Sequence, residues 1–263
     1  MTNYVVKIGG HALDSLSPRS EVLNALAGDV VALRGKLTNV IIVHGGGPQI
    51  ASLLDAVGVE SHFHEGLRVT DEETMEYVAM ALSQVNLHLV AALNQAGLAS
   101  VGLSGVDGSV LSATALGAPW LRAGVSPKVD VSLIEMLWKS GVTPVMSSIA
   151  VDESGDLVNC NADAAAGALA GALGATALVL LSDVDQLRSD PLDASTSLSS
   201  VRALEVQRLI DEGAARDGMR PKMMAALDAL EHGAQRVILA NGTTLHALRD
   251  ALNGVANTTE VTR

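Results

Sequence analysis

Aromatic residues are scarce in this chain of 263 residues, which contains one Phe, two Trp and two Tyr. Nearly half of the residues are nonetheless hydrophobic, so the core must be built from Ala, Val, Leu and Ile. So few rings argue against a surface that stacks bases, as proteins that bind single-stranded nucleic acids do. The length is sufficient for a large core, either as one α/β domain or as two lobes that share a sheet.

Cysteine and positive charge are also in short supply. Cys160 is the only cysteine, so no disulfide forms within the chain, and a reducing compartment is expected. Seventeen basic residues against 29 acidic ones give a formal net charge of −12, which argues against a nucleic-acid or anionic-membrane surface. The first residues enter a predicted strand without an apolar signal region. We therefore expect a cytoplasmic protein with no nucleic-acid and no membrane partner, in which any phosphate site is basic only locally.

A long uncharged run is present only between Ala164 and Leu181, and it reaches the length of a membrane-span candidate. Gly174 is typical of the residue that ends a helix, and residues 177–181 form a short apolar stretch that ends near Asp183. The sequence therefore predicts a short buried helix followed by a strand rather than a membrane span.

Three consecutive glycines, Gly45, Gly46 and Gly47, follow the β-branched run 40–43. The run predicts a strand buried on both faces, and Pro48 is typical of the first turn of a helix. Glycines at such a junction let backbone N–H groups approach an anion at the positive end of the helix. The segment matches neither G-x-x-x-x-G-K-[ST] nor G-x-G-x-x-G, so the pattern predicts a phosphate site outside the P-loop and dinucleotide classes.

Two lysines occupy positions where a bound anion explains them better than the fold does. Lys7 lies in an apolar predicted strand directly before Gly9 and its neighbour Gly10, where open α/β sheets bind ligands. Lys222 follows Pro221 in the first turn of a predicted helix, where a cation is mildly disfavoured. Both lysines are therefore predicted to contact phosphate.

Polar residues at two further junctions are candidates for binding. Arg68 lies two residues before Thr70, which with Glu73 predicts a capping box, and its guanidinium could form a bidentate pair with a carboxylate or a surface ion pair. Asn159, Asn161 and Asp163 precede the alanine-rich helix as caps or as the rim of a ligand site. His62 and His64 are interpreted as surface or lining residues, and no metal site is predicted.

The order of predicted elements indicates a run of βα units. Strands are predicted at residues 4–8, 40–43, 98–103, 142–151, 178–181 and 235–240, the last being taken as the final strand, and residues 188–200 are predicted to be a loop. Helices are predicted near residues 48–57, 71–97, 130–140, 164–173, 221–233 and 245–252. This alternation is typical of a mainly parallel sheet.

Several motifs occur together and in a fixed order: Lys-Ile-Gly-Gly, His-Gly-Gly-Gly, Gly-Leu-Arg-Val-Thr, Asn-Cys-Asn-Ala-Asp, Ser-Asp-Val and Gly-Met-x-x-Lys. With them the chain resembles the amino acid kinase family, and within it the enzymes that phosphorylate N-acetylglutamate. The resemblance implies a three-layer αβα sandwich on a mainly parallel central sheet. It also implies an N-terminal lobe, residues 1–173, for amino-acid binding and dimerisation, and a C-terminal lobe, residues 174–263, for ATP, with one continuous sheet.

The same resemblance assigns roles to individual residues and to their ligands. Lys7 and Lys222 would stabilise the transition state, Asp163 would orient them, and Arg68 and Asn159 would bind N-acetyl-L-glutamate. Glycine contacts to substrate and phosphate would come from Gly45, Gly46, Gly47, Gly9 and Gly10, and nucleotide contacts from Asp183, Val184, Leu187, Ala214, Ala215 and Arg216. The expected cofactor is ATP with Mg²⁺, and the expected assembly is a homodimer.

The chain departs from the family's usual sequence at Glu65, where asparagine is usual, at Leu87, where lysine is common, and at Asp185–Gln186. Two alternatives stay open: a kinase for α-aminoadipate held on a carrier protein, and a non-catalytic amino-acid sensor.

Relatives that arginine inhibits carry a helix before the first strand, whereas the first strand is predicted here by Tyr4. The resemblance therefore implies a homodimer that arginine does not inhibit, with an apolar helix such as 50–57 or its neighbour at the two-fold interface.

Overall fold

The structure is a computed structural model, and it describes residues 1–9, 13, 20–33, 38–183, 186–190, 192–213, 219–255 and 257–263. Some residues singled out by the sequence lie outside these ranges, namely Gly10, Val184, Asp185, Ala214, Ala215 and Arg216.

Strands and helices alternate through most of the chain. The strands are β1 Thr2–Ile8, β2 Thr38–His44, β3 Phe63–His64, β4 Leu67–Arg68, β5 Ser100–Ser104, β6 Leu111–Gly117, β7 Leu121–Val129, β8 Thr143–Ser147, β9 Ile149–Val151, β10 Leu157–Cys160, β11 Ala177–Ser182, β12 Ser200–Arg202, β13 Val237–Asn241 and β14 Thr258–Thr262. The helices are α1 Glu21–Leu33, α2 Gly47–Val57, α3 Glu72–Gln95, α4 Ser132–Lys139, α5 Ala162–Ala172, α6 Ala203–Asp211, α7 Met219–Glu231 and α8 Ala247–Leu252.

Eight strands form the central sheet in the order β12-β14-β13-β11-β1-β2-β8-β5. All neighbouring pairs are parallel except β13 and β14. Successive residues of β1 point to opposite faces, since Val5 packs in a core with α4, α5, α6 and α7, whereas Val6 packs in a core with α1, α3 and α8. The two cores give the three-layer αβα sandwich, and the predicted fold class is confirmed.

A second, smaller sheet closes on itself in the order β10-β7-β6-β9. Strands β6 and β7 were not identified from the sequence, which predicted a single strand over 142–151. That prediction was wrong, because Ser148 separates β8 in the central sheet from β9 in the small one. The change of sheet matters for the site, since it places β10 with Asn159 beside β7.

The C-terminal part holds more regular structure than the sequence indicated. β13 is not the last strand, because β14 pairs antiparallel with it from Val237↔Val261 to Ala240↔Thr258. The predicted loop 188–200 contains a short 3₁₀ turn, Ala194–Thr196, and ends at β12, after which α6 was also missed. β12 and β14 are short, and Val201 and Val261 are their only apolar residues, so their sequence gives no apolar alternation to recognise.

The uncharged run near Ala164 divides as predicted. It contributes to helix α5 and strand β11, with Gly174 in the left-handed region (φ 53°) between them. In the described part of the chain, no helix has the length and apolar character needed to cross a membrane.

Candidate active site

The carboxyl ends of the four middle strands lie side by side at one edge of the central sheet. Backbone hydrogen bonds fix their alignment: the N–H of Gly45 donates to Ile8 O (3.2 Å), that of Gly9 to Leu181 O (3.1 Å) and that of Gly242 to Ser182 O (2.6 Å). The glycine loop after β2, the end of β1 and the end of β11 are therefore brought together, as the parallel arrangement of a doubly wound sheet requires.

A buried carboxylate joins the two candidate lysines at this edge. Lys7 Nζ lies 2.8 Å from Asp163 Oδ1, and Lys222 Nζ lies 3.6 Å from Asp163 Oδ2. All three side chains are about nine-tenths buried or more. Since Lys7 comes from β1, Asp163 from α5 and Lys222 from α7, the carboxylate fixes cations from distant parts of the sequence in one cluster with a net positive charge.

The local structure around Asp163 explains how it reaches the lysines. Asn161 caps α5, and its Oδ1 accepts from the N–H groups of Asp163 (2.7 Å) and Ala164 (3.4 Å). Asn161 is therefore the cap, which leaves Asp163 in the first turn of the helix facing β1. Burial alone would raise the pKa of Asp163, but the charges and hydrogen bonds of Lys7 and Lys222 outweigh it and lower that pKa below its usual value.

Gly9 gives the Lys7 side chain room to fold back over the strand end. A Cβ placed on Gly9 would lie 2.3 Å from Lys7 Nζ, which is closer than two such atoms can approach. Any side chain at position 9 would therefore displace the ammonium group. The glycine is therefore required by the position of the lysine, rather than by its own backbone dihedrals.

The three glycines after β2 differ in their surroundings. A Cβ on Gly46 would lie 2.8 Å from Leu82 Cδ2, so Gly46 is needed for close packing against α3. A Cβ on Gly45 would be in ordinary contact with Ala162 at 3.5 Å, and one on Gly47 would meet no atom within 4 Å. Gly47 is also the first residue of α2, which places its open side at the positive end of the helix dipole.

His44, directly before the glycines, was missed as a site residue. It is fully buried, with Nδ1 2.9 Å from Gly45 O and Nε2 2.9 Å from Asn86 Nδ2. Asn86 Nδ2 also donates to Val145 O (2.9 Å), and its second N–H donates to His44 Nε2. The proton of the neutral imidazole is then on Nδ1, which donates to Gly45 O. Desolvation lowers the pKa of His44 to about 4, and the imidazole is neutral at pH 7. The available sequence signal for Asn86 was that an amide stands in the middle of the mostly apolar buried stripe of α3.

Arg68 lies at the end of β4 and is buried, although its element is a hairpin of two-residue strands. Its guanidinium contacts Ser61 Oγ, lies 3.4 Å from Gly47 O through Nη2, and stacks 4.6 Å from the centroid of the Phe63 ring. Burial lowers the pKa of Arg68 from its ordinary high value. The side chain thus brings a cation next to the glycine loop.

Thr70 connects Arg68 to Asn159 and is not part of a capping box. Asp71 is the N-cap of α3, and its carboxylate accepts from Thr74 N at 2.7 Å, so the prediction of Thr70 with Glu73 was wrong. Thr70 is fully buried; its hydroxyl donates to Arg68 O (2.9 Å) and accepts from Asn159 Nδ2 (3.2 Å). The two predicted amino-acid ligands are therefore joined through one side chain. His62 and His64 are exposed, as predicted.

Of the predicted nucleotide residues, two are described. Asp183 directly follows β11 at the same sheet edge and is exposed. Leu187 is buried in the core, and its backbone N–H donates to Thr259 Oγ1 (2.9 Å), so it is not a side chain that lines an open site.

These features define an α/β protein with a buried cluster of two lysines and one carboxylate, a candidate anion-binding site, at the carboxyl ends of its parallel strands. The sequence profile described as Amino acid kinase family matches residues 3–241. The chain belongs to the amino acid kinase family.

Curated relatives match along most of the chain. It is 38% identical over 258 residues to an acetylglutamate kinase from Methanocaldococcus jannaschii, with 93% of this chain and 85% of that protein covered. It is 39% identical over 246 residues to an acetylglutamate kinase from Nostoc sp., with coverage of 93% and 82%.

Solved structures extend the likeness to the fold. An N-acetylglutamate synthase from Neisseria gonorrhoeae, complexed with coenzyme A and N-acetyl-glutamate, superposes with a TM-score of 0.82 at 27% identity over all of this chain and 59% of that one. A Giardia carbamate kinase superposes with a TM-score of 0.68 at 18% identity and shows the shared fold alone.

Proposed function

We propose that the protein transfers the γ-phosphoryl group of ATP to the side-chain carboxylate of N-acetyl-L-glutamate, giving N-acetyl-L-glutamyl 5-phosphate for arginine biosynthesis. The observation that carries the proposal is the buried Lys7–Asp163–Lys222 cluster at the carboxyl ends of the central strands, beside the glycine loop that Arg68 contacts. The identity of 38–39% to curated acetylglutamate kinases supports the choice of amino acid.

The acceptor needs no general base. A glutamate side chain in water has a pKa of about 4.3 and is ionised at neutral pH, so the difficulty is to bring one anion against another. Asp163 is engaged by both lysines and serves to orient them rather than to move a proton. Catalysis then consists of positioning and of neutralising charge along the line of transfer.

The cluster fits a transferring phosphoryl group. Two ammonium groups on one carboxylate leave an excess positive charge, the absence of a side chain at Gly9 leaves the place that Lys7 Nζ occupies, and the open side of Gly47 exposes backbone at a helix start. Donors aimed at the charge that develops in the transition state are each worth about 3 kcal/mol in other enzymes. Mg²⁺, carried mainly by ATP oxygens, would add positive charge at the same phosphates.

The two ends of the site divide between the substrates. Arg68 would bind a carboxylate of the amino acid that does not react, and Asn159 would bind beside it, since Thr70 holds both. Asp183 at the end of β11 and the backbone of Leu187 would contact the nucleotide, as would Val184, Ala214, Ala215 and Arg216, and Gly10 would contact phosphate with Gly9. Residues 1–173 would thus hold the amino acid and residues 174–263 ATP.

We also propose that the protein is cytoplasmic and forms a homodimer. Helix α3, the neighbour of α2, exposes Met80 and Leu87 on its outer face, and a second copy would cover these apolar side chains.

Trapping the acyl phosphate with hydroxylamine tests the activity directly. The unaltered protein, with ATP and Mg²⁺, is expected to form hydroxamate with N-acetyl-L-glutamate and little with glutamate, aspartate or N-acetyl-aspartate. Turnover of α-aminoadipate on a carrier protein in preference to N-acetyl-L-glutamate would replace the proposed substrate. Absence of hydroxamate with the whole panel, together with amino-acid binding in calorimetry, would indicate a sensor and overturn the proposal.

A further inference from the structure

The few aromatic side chains are unevenly placed, and two of them contact the segment that carries Arg68. Phe63, the only phenylalanine, is 61% exposed and stacks under the Arg68 guanidinium. Trp120, in the turn between β6 and β7, meets the His64 ring edge-on with centroids 5.0 Å apart. In a chain whose core contains almost no rings, this concentration at the rim of a binding site calls for an explanation other than core packing.

Trp120 is tied to both ends of the segment that carries Arg68. Its indole Nε1–H donates to His64 O at 3.0 Å, and its own carbonyl accepts from Thr70 N at 3.3 Å. Arg122, two residues later, donates its N–H to Thr70 O at 2.8 Å. The backbone from His64 to Thr70 is therefore fastened at its start and at its end to one short stretch of the β6–β7 turn.

Beyond these bonds, the contacts described above for this segment are those of Arg68 with Ser61 and Gly47 O and of Thr70 with Asn159. β3 and β4 have two residues each, and residues 62–66 are exposed, so the hairpin buries almost no apolar surface of its own. Its turn is also strained at Glu65, whose φ of 49° lies in the left-handed region, whereas Gly66 (φ 80°) adopts this region without a Cβ to clash. Such a turn prefers Asn-Gly, and glutamate at its first position weakens it.

We propose that Trp120 is a positioning residue that holds the β3–β4 hairpin, and with it Arg68, at the amino-acid site. Through the hairpin it sets the affinity for the amino acid without touching the reacting groups. The inference rests on the proposed function only for the identity of the ligand that Arg68 binds.

Steady-state kinetics of two variants test the role. Trp120→Phe keeps a ring against His64 but loses the N–H donor, and Trp120→Ala loses both. We expect the KM for N-acetyl-L-glutamate to rise about fivefold in Trp120→Phe, as the loss of one hydrogen bond predicts, and ~20-fold in Trp120→Ala. The kcat and the KM for ATP should stay within about twofold of the unaltered protein, since uniform binding of one substrate is what is lost.

The matched control is the other tryptophan. Trp138 Nε1 donates to Val40 O at 2.8 Å, a contact between α4 and the central sheet, so Trp138→Phe should lower the thermal midpoint and leave the KM for N-acetyl-L-glutamate unchanged. A rescue adds a readout that a merely structural role would not move. Glu65→Asn relaxes the turn and, in the Trp120→Phe background, should recover most of the lost affinity.

Calorimetric binding of N-acetyl-L-glutamate separates this inference from the proposed function. If the unaltered protein binds none, the proposed substrate is wrong. If the unaltered protein and Trp120→Phe bind with equal Kd, or if kcat and both KM values change together without rescue by Glu65→Asn, the role of Trp120 is overturned.

Discussion

Asp163 organises the site because it is buried between two cations. Its pKa is held below the usual value, so the carboxylate is ionised in the folded protein at any pH above its unfolded value of about 4. The stability that this ionisation contributes is present above that pH and is lost as the pH falls through the folded pKa. At neutral pH the cluster is therefore a fixed arrangement of charges, and it holds the two lysines in one geometry for the proposed phosphate ligand.

Replacing either lysine should affect the chemical step more than binding. Lys7→Ala and Lys222→Ala are each expected to lower kcat by about 10²–10³-fold, because an interaction made only in the transition state is lost. The KM for the amino acid should change by less than about threefold. Lys139→Ala, at a lysine in the last turn of α4, is the control and should have no effect. A near-normal kcat in either site variant would remove that lysine from the mechanism.

His44 should make the protein sensitive to mild acid. Its folded pKa of about 4 lies below the unfolded value of 6.5, so the unfolded chain binds a proton that the folded protein refuses. Stability is therefore lost as the pH falls from 6.5 to about 4, by an amount on the order of 3 kcal/mol. This window lies above the range in which Asp163 titrates.

Urea unfolding at pH 7 and pH 4.5 measures this loss. The unaltered protein is expected to lose about 2–3 kcal/mol more than His44→Gln, which has no imidazole to protonate. His62→Gln, at an exposed histidine, should behave like the unaltered protein. Equal pH dependence in the His44 variant and the unaltered protein would show that His44 is protonated without penalty in the fold.

At the scale of elements, two neighbouring glycines of the loop have different expected roles: Gly46 in packing against α3 and Gly47 in the proposed binding of phosphate. Gly46→Ala forces a Cβ against the buried Leu82 and Val85, and we expect it to lower the free energy of unfolding by about 1–3 kcal/mol. The methyl group of Gly47→Ala would point into open space at a helix start, so this variant should keep the free energy of unfolding unchanged. The same methyl group would block the proposed phosphate position and is expected to lower kcat/KM at least ~tenfold. Urea unfolding and kinetics on both variants decide; a Gly47→Ala protein with normal kcat/KM would contradict the proposed site.

Elements whose own sequence carries a strong pattern were predictable, and elements defined by their partners were not. β2 and α2 were found because a β-branched run meets glycines and a proline. β6, β7 and β14 were missed, since their residues alternate weakly and are held by pairing with distant strands. Thr70 fits a capping box in sequence, but its hydroxyl is used by Arg68 and Asn159, and only the folded structure brings Asn159 within reach. The lysines were predictable from position, whereas the carboxylate that joins them is equally compatible in sequence with a helix cap.

On the scale of the whole molecule, the central sheet joins the proposed lobes. β1 pairs with β11 over five residue pairs, from Tyr4↔Ala177 to Ile8↔Leu181, so Lys7 and Asp183 lie at neighbouring strand ends of one continuous sheet. The proposed amino-acid and nucleotide sides would therefore meet across a single strand pair rather than across a flexible linker.

The outer face of α3 gives the proposed homodimer a test. Met80 (57% exposed) and Leu87 (71% exposed) are seven residues apart, so they lie on the same face of the helix, and Leu87 replaces the lysine common in the family. In an isologous interface each residue near the axis approaches its own copy, so a charge introduced there repels itself. Met80→Glu is therefore expected to convert a dimer into a monomer in sedimentation velocity experiments at micromolar concentration. Leu204→Glu, at an 84% exposed leucine of α6, is the matched control and should remain dimeric. A dimer that survives both Met80→Glu and Leu87→Glu would place the interface elsewhere, and a monomeric unaltered protein would refute the homodimer itself.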